Sequence, residues 1–317
     1  MSLCHPCSLS AALLIGGLTL SSCQKEEEKQ TREAPLPSSV ATTRPSAEKS
    51  RFVGHLDPSI SVTRRVHLLR AVTIDSLTPA DEEYLFELLA RRETVEDSQA
   101  WATVANEIMT LMVRLQLQPD RFVSTLTGML QDPEMAPVMR DYALQFLAIW
   151  SKDPAMVSTP VDPDPARRQR SWQLITAAVS DPQLRGTTIP STALRLIAYE
   201  AQDLRGAGKV EASAAMLTPD LASWLERNTR NDHPSNQHLR HRSIEAAGLF
   251  RHQPLYAEIK SLAQADTGMS DLRLTALASL SNYQKEENVP FFESLASSDS
   301  PLRFAAQQAL KRHRFSF

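Results

Sequence analysis

The segment from Asp271 to His313 holds two copies of one pattern, Leu272-Arg273-x-x-Ala276-x-x-x-Leu280 and Leu302-Arg303-x-x-Ala306-x-x-x-Leu310. Residues four apart share one side of an α-helix, so each copy reads as an apolar stripe with a small residue at its centre. The central Ala admits a neighbouring helix, and the flanking Leu residues bury apolar area. Met139-Arg140-x-x-Ala143-x-x-x-Leu147 repeats the pattern in full. Leu194-Arg195-x-x-Ala198 keeps it until Gln202, and Leu239-Arg240-x-x-Ser243-x-x-x-Ala247 keeps the spacing with smaller residues. Trp101-Ala102-x-x-Ala105-x-x-x-Met109 keeps it without the Arg. A motif recurring every ~30 to 50 residues signals a helical solenoid, in which each unit covers its apolar face only against its neighbours.

These copies resemble the HEAT-repeat family in its short bacterial form, over residues 97 to 313. In that family the second helix of each pair opens on an acidic or Pro turn, followed by an apolar-Arg step and an Ala three residues later. Asp299-Ser300-Pro301 stands before Leu302, Asp271 before Leu272, and Asp132-Pro133 opens the segment carrying Arg140. The resemblance implies an all-α solenoid of stacked antiparallel helix pairs. It also implies that Arg140, Arg195, Arg240, Arg273 and Arg303 are structural, their counterparts hydrogen-bonding neighbouring turns. It implies no activity.

The residues themselves agree with an all-α body. Only 9 Gly occur, and alternating β-branched runs are absent, so strands are not expected. Thr78-Pro79, Asp153-Pro154, Asp181-Pro182, Thr218-Pro219 and Ser300-Pro301 each place a capping side chain before a Pro suited to a first helical turn. The periodicity predicts a capping helix over 60–73, followed by six pairs. These are 79–92 with 97–116, 119–131 with 134–151, 167–180 with 188–205, 211–228 with 236–250, 253–265 with 269–283, and 287–298 with 300–313. The four tryptophans fall at helical spacing from apolar neighbours, which predicts core packing. Residues 152–166 and 229–237 interrupt the array as polar insertions, where solenoids often carry binding contacts.

The amino terminus reads as an address. Residues 8–20 form an apolar stretch of ~13 residues, too short for the ~20 that a bilayer requires and suited to a signal-peptide core. It ends in Leu20-Ser21-Ser22-Cys23, which resembles the lipobox of bacterial lipoproteins, although no Lys or Arg precedes the apolar core. That resemblance implies cleavage after residue 22, diacylglycerol on Cys23 and anchoring to the cell envelope. Gln24, where Asp commonly signals inner-membrane retention, favours the outer membrane. The other two cysteines, Cys4 and Cys7, lie before that cut, leaving the mature chain no thiol for disulfides, zinc or nucleophilic catalysis. Residues 23–58 combine the lipidated Cys with a charged, Pro- and Ser-rich tether, and 59–317 would form the repeat domain.

Candidates for chemistry are sparse. His238 and His241, three apart on one helix face, could share a metal, but spacing supplies no third ligand and Arg240 and Arg242 oppose a cation. Gly206-Ala207-Gly208-Lys209 fails as a phosphate loop: Asp203 stands where its first Gly belongs and Val210 where Ser or Thr should bind magnesium. Asp81-Glu82-Glu83 suits the first turn of a helix, where carboxylates favour the dipole. A net charge of −3 and an export signal argue against nucleic acid. The expectation is a non-enzymatic scaffold or adaptor that needs no cofactor. It would recognise a protein or envelope polymer on the surface of its second helices and reach the membrane through Cys23. An envelope hydrolase or lyase, or a structural assembly factor, are the alternatives.

Overall fold

The computed structural model describes residues 49–91, 98–265 and 270–314. The proposed signal, Cys23, the tether up to residue 48 and the terminal Phe317 lie outside the described residues. Among those described there are fifteen α-helices and no strand. The first four are α1 (Phe52–His55), α2 (Val62–Arg70), α3 (Pro79–Leu89) and α4 (Ser98–Leu115). They are followed by α5 (Pro119–Gln131), α6 (Pro137–Trp150), α7 (Pro165–Ser180) and α8 (Ile189–Gly206). After α9 (Val210–Ala215) come α10 (Pro219–Arg230), α11 (Gln237–Phe250) and α12 (Tyr256–Gln264). The chain closes with α13 (Asp271–Asn282), α14 (Val289–Ser297) and α15 (Arg303–Arg314). Among them, no helix is long and apolar enough to cross a membrane.

The helices pack in sequential pairs: α3 with α4, α5 with α6, α7 with α8, α10 with α11, α12 with α13, and α14 with α15. The second helices also touch in an unbroken series from α4 through α6, α8, α11 and α13 to α15. That series rests on the small residues of the motif. Ala105, Ala143, Ser243, Ala276 and Ala306 are all fully buried, as are both Ala193 and Ala198 in α8. A side chain no larger than Ser at each lets backbones approach, while Met109, Leu147, Leu280 and Leu302 fill the space beside them.

Proline sets several of the helix starts, where the residue before it is driven to extended backbone. Ala136 is extended ahead of Pro137, so α6 starts there rather than at 134. Thr218, extended, accepts a hydrogen bond from Leu221 N at 3.3 Å and caps α10. The single helix expected over 211–228 is therefore two, α9 and α10. Thr78 caps α3 in the same way and closes a reciprocal capping box with Asp81. Asp181 caps only a short 3-10 turn, Asp153 only a single turn, and Ser300 the turn leading into α15.

The folded body begins before residue 59. Phe52 and Leu56 are buried in the core. Asp81, itself 1% exposed, accepts from Ser50 Oγ at 2.8 Å and from Arg51 N at 3.0 Å, and pairs with Arg51 Nε at 3.3 Å. The expected tether thus overlaps α1. Its Pro- and charge-rich composition obscured one aromatic anchor, Phe52, because a four-residue helix carries too little periodicity to be read.

The 152–166 insertion is pinned rather than free. Buried Asp162 accepts from Trp150 Nε1 at 3.0 Å and from Arg167 Nε at 2.6 Å, and its backbone N donates to Trp150 O at 2.8 Å. Gln116 holds the neighbouring Val161 carbonyl at 2.8 Å. The Gly206–Lys209 stretch ends α8 in a left-handed turn at Gly208, with Lys209 N bonded to Leu204 O and its ammonium paired with Asp153 at 2.5 Å.

Candidate binding groove

The repeated arginines separate into two groups. Arg140 Nε donates to Leu130 O at 3.0 Å, Arg240 Nε to Thr229 O at 3.0 Å, and Arg273 Nε to Ala263 O at 3.1 Å. Each acceptor is the last residue but one of the preceding first helix (α5, α10, α12), a carbonyl with no partner inside its own helix. These three guanidiniums cap the neighbouring helix and hold each pair closed. Two further arginines do similar work outside the motif: Arg114 bonds Leu69 O at the end of α2, and Arg205 bonds the Leu249 and Phe250 carbonyls at the end of α11.

Arg195 and Arg303 do not join them. Both are exposed, and Arg195 instead lies over the Tyr199 ring, 5.5 Å from its centroid. Burial explains the difference in α8. Its buried set Ala193, Leu194, Ile197 and Ala198 matches Ala143, Leu144, Leu147 and Ala148 in α6 and Ala276, Leu277, Leu280 and Ser281 in α13. In that register Pro190 occupies the capping-arginine position, and Leu194-Arg195 is a displaced likeness of the motif. The expected fit at Ala198 followed spacing alone. We expect Arg140→Ala and Arg273→Ala each to cost about 1–2 kcal/mol, by stranding a helix-end carbonyl. Arg195→Ala and Arg303→Ala are expected to stay within about 0.5 kcal/mol of the parent. Urea denaturation of the four variants checks this, and equal losses in all four would contradict the division.

A groove of about 850 Å³ runs across the second helices α8, α11 and α13 and reaches Arg312 of α15. Its lining follows the repeat. Leu249, Asn282 and Arg312 each stand six residues after the motif's small residue, at Ser243, Ala276 and Ala306, so equivalent positions face one channel. Tyr199, 39% exposed, donates to Glu245 Oε1 at 3.3 Å and so fastens α8 to α11, while Arg242, on α11 itself, donates to Glu245 Oε2 at 2.7 Å and orients that carboxylate. Across the next boundary, His241 Nδ1 and Thr275 Oγ1 are 3.1 Å apart. Gln202 and Asn282 add amides to the walls.

The histidines are committed to this framework. His238 Nε2 lies 2.9 Å from Ser191 Oγ. That hydroxyl already donates its single proton to Thr188 O at 2.7 Å, so the imidazole N–H is the donor and Ser191 the acceptor. A nucleophilic Ser requires the reverse polarity, with the imidazole taking the proton. Burial lowers the His238 pKa, helped by the Arg242 guanidinium. Burial also leads for His241, with Arg240, His238 and Arg242 pressing the same way against Asp271. Both rings are neutral near pH 7 and act as hydrogen-bonding struts. Among the described residues, no group of three or more His, Cys, Asp or Glu could hold a metal ion.

Sequence reasoning had no access to Tyr199, Thr275 or Asn282 as groove residues, nor to Ser191 as the buried support of His238. The available signal was the repeat register itself: projecting the exposed positions of each copy onto one face selects them once α8 is aligned by burial.

Comparison of the chain with family models, curated proteins and solved structures returns no match.

Proposed function

We propose that this chain is a HEAT-like α-solenoid that binds a protein partner through the second-helix groove, as a non-enzymatic scaffold or adaptor. The carrying observation is the continuity of α8, α11 and α13 beneath one channel whose polar side chains are tied to each other across helix boundaries. An open channel with amides, hydroxyls and both signs of charge suits an extended polypeptide, whose backbone offers donors and acceptors along its length. An envelope polymer is the second class of partner. The polarity of the Ser191–His238 pair gives no support to a hydrolase. Lipid attachment at Cys23 would present the groove from the bacterial envelope on a tether of ~25 residues, reaching roughly 25–30 Å.

A photo-crosslinking residue at Asn282, in the groove, should capture a partner that the same residue at Ser223, exposed on α10, does not. Ala278→Arg fills the groove from an exposed position and is expected to weaken that partner's affinity at least about tenfold with folding intact. Equal capture at both sites, or an unaffected Ala278→Arg variant, would sink the assignment. Mass spectrometry of the mature amino terminus tests the anchor: an unmodified terminus removes that part of the proposal.

A further inference from the structure

The four tryptophans divide between two roles. Trp101 and Trp150 are core residues, 7% and 0% exposed, and Trp150 packs edge-on to Phe122. Trp172 on α7 and Trp224 on α10 are only half-buried, and both line a cleft of about 700 Å³ between those helices. That volume lies in the range of small-molecule sites, roughly 300–1,000 Å³. The Trp172 indole N–H donates to Ser151 O at 3.0 Å, which fixes the ring against α6.

Helical spacing builds the two walls. Thr176 follows Trp172 by one turn on α7, and Asp220 precedes Trp224 by one turn on α10. Met216, between α9 and α10, lines the cleft as well. Asp220 is the one charged residue in the lining, which contains no Lys or Arg. A neutral apolar guest gains nothing from that carboxylate, and an anion is repelled by it. A bare ammonium surrenders strong hydration on entering apolar surroundings. A cation sheathed in methyl groups avoids that cost, is drawn to the faces of indole rings, and is complemented by the carboxylate.

We propose that the Trp172–Trp224 cleft binds a quaternary ammonium group. The cleft shares no lining residue with the second-helix groove, so this site stands or falls independently of the partner-binding reading.

The test titrates the full chain with choline, with its uncharged dimethylbutanol isostere, and with vesicles of phosphatidylcholine or phosphatidylglycerol, read by tryptophan fluorescence and calorimetry. Choline is expected to bind saturably, with the isostere weaker by about tenfold. Asp220→Asn, at an exposed position, should weaken choline severalfold at an unchanged melting temperature, and Trp224→Leu should weaken it further. Choline binding without a preference between vesicles assigns a soluble ligand. Selective binding to phosphatidylcholine, competed by choline, assigns a lipid headgroup. Either result supports the site. Absence of a saturable choline response, equal binding of the isostere, or indifference to both substitutions overturns it, as does phosphatidylcholine binding that choline does not compete.

Discussion

Gly248→Ala is expected to destabilise the fold by about 3 kcal/mol, at the upper end for overpacking a core. A Cβ at Gly248 would lie 2.3 Å from Ser279 Oγ, 2.6 Å from Ser279 O and 2.7 Å from Ser279 Cα. The hydroxyl could rotate away, but the backbone atoms cannot, so α11 and α13 must separate. Separation would also break the bond from Ser279 Oγ to Ile244 O, 2.6 Å long and buried at the same contact. The control is Gly128→Ala in α5, where an added Cβ meets nothing within 4 Å. Helix propensity alone then governs, and a gain of roughly 0.5–1 kcal/mol is expected. Urea denaturation of both variants decides the matter: a Gly248→Ala protein as stable as the parent would mean that the two helices do not meet this closely.

Asp81→Ala is expected to cost a further-reaching 3 kcal/mol or so, combining a lost helix cap with a buried Ser50 hydroxyl left without its acceptor. The same carboxylate ties Ser50 and Arg51 to the start of α3, so α1 should detach and expose Phe52. The pH dependence carries a sign. Burial pushes the Asp81 pKa up, but hydrogen bonds from Ser50, Thr78 and Arg51 together outweigh it and hold the carboxyl below its ordinary value. A depressed carboxyl contributes stability that is present above its unfolded pKa and lost as pH falls through the folded one. The gap between parent and variant should therefore be full at neutral pH and shrink in acid, below about pH 4. Melting temperatures across that range, with protease cleavage near residue 52 as a local readout, test both claims. A gap that grows in acid would contradict them.

Much of this architecture was legible because it depends on short spacings. The Leu-Arg-x-x-Ala stripe located α6, α11, α13 and α15 to within a few residues, since burial of one helix face leaves a period that a reader can count. The same counting misled in α8. Leu194-Arg195-x-x-Ala198 satisfies the spacing, yet the buried set places the true small residue at Ala193. Two registers of one apolar helix look alike in composition, and only the neighbouring helices distinguish them. The single helix expected over 211–228 failed for a different reason: its stripe continued across Thr218-Pro219, and the backbone consequence of Pro219 outranks side-chain periodicity. Trp172 and Trp224 had the spacing of core residues, yet each packs against the core with one side only and stays half-buried. What it could not convey is that α7 and α10 leave a cleft between them.

By itself, the sequence determined helix type, most helix ends and the small residues at helix contacts, because each rests on residues within a turn or two of one another. Tertiary structure alone decided which arginines cap a neighbouring helix, which register α8 takes, and which side chains share the groove. Those outcomes depend on pairs such as Ser191 and His238, or Tyr199 and Glu245, which lie 47 and 46 residues apart along the chain. No local preference encodes such a meeting. It follows from how close two backbones can come, and that distance is set by the atoms between them, as at Gly248 and Ser279.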